Sequence, residues 1–191
     1  MVIRFQFQPE KAMQAIAYLL HRLGAVEKVK LTKLLYYADR EHFIRFGFPI
    51  TGDRQKALPL GPVPSTCLDL LNGDPLLPSD RVFDYIHLDD YRVSLRKSPG
   101  EQLLSDDDRR TLDDVIRRHG GKEQWTLVRE SHSLPEYREI YVEGTARPIP
   151  YEVIAKHSGN DARFRKGRPV ISTAATAQMS CPLPVGSGAD L

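Results

Sequence analysis

The stretch KLTKLLYYADREHFIRFGFPITGDRQKALPLGPVPSTCLDLL, residues 30–71, decides the fold of this chain. Its first half predicts a helix over residues 28–46, because apolar side chains recur there at helical spacing. These side chains belong to Leu31, Leu34, Leu35, Ala38 and His42. Gly47 and Pro49 follow and are typical of a helix end.

The second half of the stretch is rich in glycine and proline. Residues 48–64 therefore favour a turn with short extended pieces, which we expect within residues 48–60. A third helix is predicted over residues 64–72, because CLDLL is apolar and Pro64 suits a first helical turn.

The rest of the chain adds helices and one hairpin. Further helices are predicted over residues 10–23, 105–119 and 122–132, and a short one is predicted from about Pro150. Ser105 followed by three aspartates is the capping pattern of a helix start. Two short alternating runs on either side of Asp89-Asp90 predict a hairpin within residues 82–97. The sequence therefore predicts a compact, mostly α domain with a minor β element, of the α+β class.

A change in composition divides the chain. Residues 1–157 hold the predicted elements, so we expect them to form one domain. Residues 158–191 are polar, basic and then small, with too few large apolar side chains to offset the entropy of ordering. We predict that this segment is a flexible tail.

The overall composition excludes several classes of protein. Twenty-seven basic and 25 acidic residues give a net charge of +2, too balanced for nucleic-acid binding by bulk charge. No run approaches ~18 uninterrupted apolar residues, which argues against a membrane span, and the N-terminus lacks an apolar signal core. The two cysteines form no CxxC pair. We expect a cytoplasmic protein with free thiols.

Catalytic and metal-binding motifs are missing from the sequence. It contains no GxxxxGK[ST], GxGxxG, HExxH or GxSxG, and no two of its six histidines are three or four positions apart. Asp39 and His42 are three positions apart, so the carboxylate could orient the imidazole as a general base. A loop-capping aspartate and a core histidine are the more common arrangement. We predict no catalytic residue, cofactor or metal, and hence no enzyme.

One face of the predicted second helix is a candidate partner-binding surface. Lys33, Tyr37 and Arg40 are four and three positions apart, offset from the apolar stripe, and should meet solvent or an adjoining loop. Tyrosine and arginine often anchor interfaces. The full candidate set adds the turn and the loop that follow, and consists of Lys33, Tyr37, Arg40, Asp53, Gly61, Pro62 and Pro64. The alternative is that Tyr37 and Arg40 only hold the Gly-Pro loop in place.

Two sequence blocks resemble the Panacea domain, the SocA-like antitoxin family also known as GepA-like phage-associated proteins. The first is the stretch quoted above, which is similar to the family's KLQKLLYYA helix, PITGD-like turn and ALxxGPVP loop. The second is LSDDDRRTLDDVIRRHGGKEQWTLVRESHSLPEY, residues 104–137, and PIPYEVI resembles the closing helix. The resemblance covers about residues 3–157.

The resemblance implies an antitoxin that neutralises a cognate toxin by direct contact. Toxins known for the family include translation inhibitors of the small alarmone synthetase type and an inhibitor of the replication clamp. Some relatives instead act as adaptors that deliver the toxin to the ClpXP protease. The alternative, from another class, is a nucleic-acid-binding phage regulator that uses basic patches such as Lys28, Lys30 and Lys33. Nucleic acid is the less favoured partner.

Overall fold

A computed structural model describes residues 3–73 and 82–159. Within these residues the chain forms eight helices and six short strands. The helices are α1 (Pro9–Leu23), α2 (Lys28–Phe46), α3 (Ser65–Leu71), α4 (Val82–Tyr85), α5 (Asp106–His119), α6 (Gln124–His132), α7 (Pro135–Ile140) and α8 (Tyr151–His157). The strands are β1 (Val26–Glu27), β2 (Gln55–Leu58), β3 (Gly61–Pro64), β4 (Ile86–Asp89), β5 (Arg92–Leu95) and β6 (Arg147–Ile149).

Helix α2 is the centre of the fold. Helices α1, α5 and α6 and strand β3 all pack against it. As a result residues 31–39 are all buried, including the polar ones. The sequence indicated a single apolar stripe on this helix, whereas the neighbouring elements cover every side of its middle turns.

Two small antiparallel sheets flank the helices. One has the strand order β1-β5-β4, and its hairpin turns at Asp90, whose positive φ of 52° suits a tight two-residue turn. The other has the order β3-β2-β6, so β2 pairs with the adjacent β3 and also with the distant β6. This second sheet carries the Gly-Pro loop to the side of α2.

The predicted α+β class is confirmed, and the long helices match closely. Helix α2 has the predicted bounds, and α5 begins with a capping box in which Ser105 and Asp108 bond reciprocally. The prediction of strand from residue 82 is wrong, because residues 82–85 form the helical turn α4. At the end of the ladder the carbonyl of Tyr85 accepts the amides of both Arg96 and Lys97. Helix α7 and strands β1 and β6 were not predicted.

Within the described residues, no helix is both long enough and apolar enough to cross a membrane. The predicted tail lies almost entirely outside the described residues, from residue 160 onward.

Candidate partner-binding surface

Lys33 is a buried cation on α2. Its side chain is 0% exposed, and its Nζ donates to the carbonyl oxygen of Pro62 at 2.7 Å. In the part of the chain that the structure describes, Lys33 forms no ion pair with a carboxylate. Burial lowers the pKa of Lys33 to about 7, because a desolvated ammonium without a counter-charge is disfavoured.

Gly61 is the point of closest approach between the loop and α2. It has a φ of +94°, a conformation that side chains with a Cβ rarely adopt. A Cβ at this position would lie 2.3 Å from Ser131 Oγ and 3.0 Å from Lys33 Nζ. Glycine is therefore required for β3 to reach both α2 and α6.

Arg40 holds α2 against α7. Its guanidinium contacts both carboxylate oxygens of Glu136, through Nε to Oε1 and through Nη2 to Oε2 at 3.3 Å. Tyr36 OH donates to Glu136 Oε1 at 3.0 Å. Glu136 is 0% exposed, so this is a buried, charge-paired and hydrogen-bonded group.

Tyr37 packs against α5 instead of facing solvent. It is 5% exposed, and its ring stacks on His119 with 4.4 Å between ring centroids and 4° between planes. The candidate face of Lys33, Tyr37 and Arg40 thus meets three different elements of the same chain. The sequence predicted that this face meets solvent or an adjoining loop. Lys33 contacts the loop, as predicted, whereas neither Lys33 nor Tyr37 faces solvent.

Asp39 and Asp53 fasten the turn between α2 and β2. Asp39 accepts the amide of Thr51 at 2.9 Å and its hydroxyl at 2.5 Å, and burial raises the pKa of Asp39 to about 7. Asp53 accepts the amides of Thr66 at 3.0 Å and Cys67 at 2.7 Å. Because Pro64 offers no capping side chain, Asp53 caps α3 from outside the helix.

Asp39 and His42 do not bond to each other in the described structure, and each bonds to other groups instead. His42 is 0% exposed, and its Nδ1 lies 2.7 Å from the carbonyl oxygen of Phe48. Both residues therefore tie α2 to the segment that follows it, as the structural interpretation of the sequence expected. Among the described residues, no group of three histidine, cysteine or acidic side chains could hold a metal ion.

The loop prediction needs one correction. Gly61, Pro62 and Pro64 are buried because β3 lies between α2 and α6, so these residues do not form an open surface. The exposed part of the hairpin is Pro59-Leu60, which sequence reasoning missed. The usable signal was a large apolar residue, Leu60, at the tip of a turn, where it remains 43% exposed.

Beside this turn lies an apolar pocket of about 280 Å³. It opens between the first turns of α2, the β2–β3 hairpin and α3. Its walls are Val29, Leu58, Pro59, Leu60, Val63 and Leu68, together with Thr32 and the side chains of Lys28 and Lys33.

A protein-family model described as antitoxin SocA-like, Panacea domain, matches residues 31–137. This is more than half of the chain. The chain belongs to this family. Neither the comparison with curated proteins nor the comparison with solved structures gave a match.

The Panacea match includes all seven candidate residues and most of the pocket. It begins in α2 and ends at Tyr137 in α7, so only Lys28 and Val29 of the pocket walls lie before it. Strand β6 lies beyond the match, yet it pairs with β2 inside it. The Panacea region is therefore physically continuous with the segment after it.

Sequence reasoning also missed Glu136. The pattern of a proline followed by an acidic residue, Pro135-Glu136, is typical of a helix start and could have predicted α7. Nothing local to Glu136 predicts its pairing with Arg40, which lies 96 positions away.

Proposed function

We propose that this Panacea protein is the antitoxin of a toxin–antitoxin pair and neutralises its toxin by direct contact in the cytoplasm. It acts by binding and not by catalysis. The observation that carries the proposal is that the part matched to the antitoxin family builds an apolar pocket open to solvent. Exposed apolar recesses of this kind are typical of protein interfaces.

The geometry around the pocket suits a preformed binding surface. Carbonyl and carboxylate contacts at Lys33, Asp39 and Asp53 fix the hairpin and α3 to α2. A surface held in this way loses little conformational entropy when a partner binds. The exposed Leu60 is presented at the edge of this fixed frame.

The test is co-expression with the product of the neighbouring gene. We expect that product to arrest growth alone, and expect the full chain to restore growth and to co-purify with it. A folded antitoxin that neither restores growth nor co-purifies would contradict the proposal. Incorporation of labelled amino acid and labelled thymidine separates the two toxin classes, since a translation inhibitor blocks the first and a replication-clamp inhibitor blocks the second.

The same co-expression separates the two routes of neutralisation. Steric neutralisation should persist in a host that lacks ClpX, with an unchanged toxin half-life. Delivery to ClpXP should require ClpX and shorten the half-life of the toxin. We propose the steric route as the default, because an apolar pocket open to solvent provides binding area without any further component.

A further inference from the structure

The pocket beside the β2–β3 turn has the chemistry of a receptor for an apolar side chain. Its walls are almost entirely carbon atoms of Val29, Leu58, Leu60, Val63 and Leu68 and of lysine stems. Sites for small molecules and cofactors are usually larger than about 300 Å³ and carry several convergent polar groups. At about 280 Å³ with apolar walls, this pocket suits a single large aliphatic side chain better.

The charges around the pocket have one sign. Its charged lining residues are Lys28 and Lys33, and no aspartate or glutamate lines it. Lys28 Nζ contacts only the neutral Asn72 Oδ1, at 3.0 Å, among the described residues. Lys33 Nζ donates to a neutral carbonyl, and no carboxylate pairs with it in the described structure.

These two observations together define the occupant. We infer that the pocket binds a leucine-like side chain of the toxin that is flanked by aspartate or glutamate, with the apolar side chain in the pocket and a carboxylate beside Lys28. This inference rests on the proposed function and names the recognition chemistry of that site. Lys33 also lines the pocket, and its Nζ donates to the carbonyl oxygen of Pro62.

The inferred site relates to the candidate residues in a specific way. Lys33 lines the pocket and bonds to Pro62, and Gly61 lets β3 lie close to α2. Tyr37 and Arg40 contact His119 and Glu136 and support α2 from its other sides. The partner therefore contacts Leu60 and Lys28. Lys33, Tyr37 and Arg40 hold these two residues in position.

The test uses three blocked peptides and the full chain. The peptides are acetyl-EDLED-amide, acetyl-EDAED-amide and acetyl-KRLKR-amide, titrated into isotopically labelled protein and followed by amide NMR shifts. The acidic leucine peptide should shift amides around Val29, Leu60 and Leu68. Replacing its leucine by alanine should weaken binding about tenfold, because most of the buried apolar area is lost. The basic peptide should not bind.

Two variants with matched controls locate the site. Leu60→Asp should abolish binding of the acidic leucine peptide, whereas Leu103→Asp, at a leucine of similar exposure outside the pocket, should not. Lys28→Glu should weaken it several-fold, with the loss shrinking at high salt, and Lys97→Glu should have no effect. Circular dichroism checks that all four variants fold.

Every outcome of these experiments either supports or overturns the inference about the pocket. Equal binding of the leucine and alanine peptides, or binding of the basic peptide, overturns the inference, as does unchanged binding by Leu60→Asp. A wild-type dimer that Leu60→Asp converts to monomer would also overturn it, because a second copy would then fill the pocket. Growth rescue tests the proposed function separately. If wild type and Leu60→Asp rescue growth equally, the inference about the pocket is wrong and the proposed antitoxin function stands.

Discussion

Lys33 and Arg40 lie seven positions apart on the same helix, and their charges are treated in opposite ways. Arg40 faces the carboxylate of Glu136, which also accepts a hydrogen bond from Tyr36. Lys33 faces only the carbonyl oxygen of Pro62. The first site pairs its charge with a carboxylate, and the second leaves its lysine without a counter-ion within the described residues.

The paired charge of Arg40 stabilises the fold, whereas Lys33, which has no counter-ion among the described residues, lines the pocket where a partner can bind. A paired and hydrogen-bonded buried charge is expensive to break but holds two helices in register. A buried lysine without a carboxylate destabilises the free protein, since burial disfavours its charged form. Groups that reduce stability in isolation are common where a partner supplies the missing interaction.

Removing the counter-charge of Arg40 should give the largest effect. Glu136→Gln leaves the partly buried guanidinium of Arg40 without a carboxylate and should lower the free energy of unfolding by about 3 kcal/mol. Urea denaturation of the full chain measures this. Glu139→Gln is the matched control, because Glu139 pairs with Lys156 at the surface and its loss should leave the transition midpoint unchanged. Equal effects of the two substitutions would contradict the distinction drawn for α2.

Pushing the loop away from Lys33 should have a smaller effect. Gly61→Ala combines a strained φ with a Cβ 2.3 Å from Ser131 Oγ, and should lower the free energy of unfolding by about 2–3 kcal/mol. Gly144→Ala is the control, because Gly144 has a φ of +75° but an open surrounding, so it measures the strain without the clash. If both variants unfold at the same urea concentration, the close approach of β3 to α2 has no energetic weight.

Removing the buried amino group of Lys33 should stabilise the protein slightly. Lys33→Met replaces an ammonium without a counter-ion by an apolar side chain of similar length, and should raise the free energy of unfolding by about 1–2 kcal/mol at pH 7. Weaker binding of the acidic leucine peptide should accompany this gain. A less stable variant would show that the bond to Pro62 outweighs the burial of charge.

The pH dependence sharpens the same comparison. Burial lowers the pKa of Lys33 to about 7 from its ordinary 10.5, so between these values the unfolded chain binds more protons than the folded chain. The contribution of this residue to the free energy of unfolding of the wild type therefore rises with pH between about 7 and 10.5. The advantage of Lys33→Met should shrink as pH rises from 7 toward 10.5. An advantage that stays constant would contradict the lowered pKa.

The sequence predicted the parts of this fold that depend on local pattern. Apolar spacing placed α2 at residues 28–46, and the Ser105 pattern identified the start of α5 and its capping box. The resemblance of residues 30–71 to the Panacea signature is confirmed by the family match. These features depend on neighbours in sequence, so a single sequence contains them.

Features that depend on distant contacts could not be predicted in this way. The sequence identified Arg40 and Lys33 as one face, but only the fold places Glu136 beside the first and Pro62 beside the second. Likewise β6 is three residues long and contains Pro148, so its local pattern is weak, and it exists because β2 offers it an edge. Burial of the predicted surface follows from the same tertiary cover.

The strand order β3-β2-β6 has a consequence for synthesis on the ribosome. The hairpin of β2 and β3 can form as soon as residue 64 emerges, but the other edge of β2 stays open until Arg147–Ile149 have been made. Pairing across so long a separation is among the later and slower events of folding. The nascent chain therefore presents an unfinished hairpin through much of its translation, and its binding surface reaches its final support only when β6 is added.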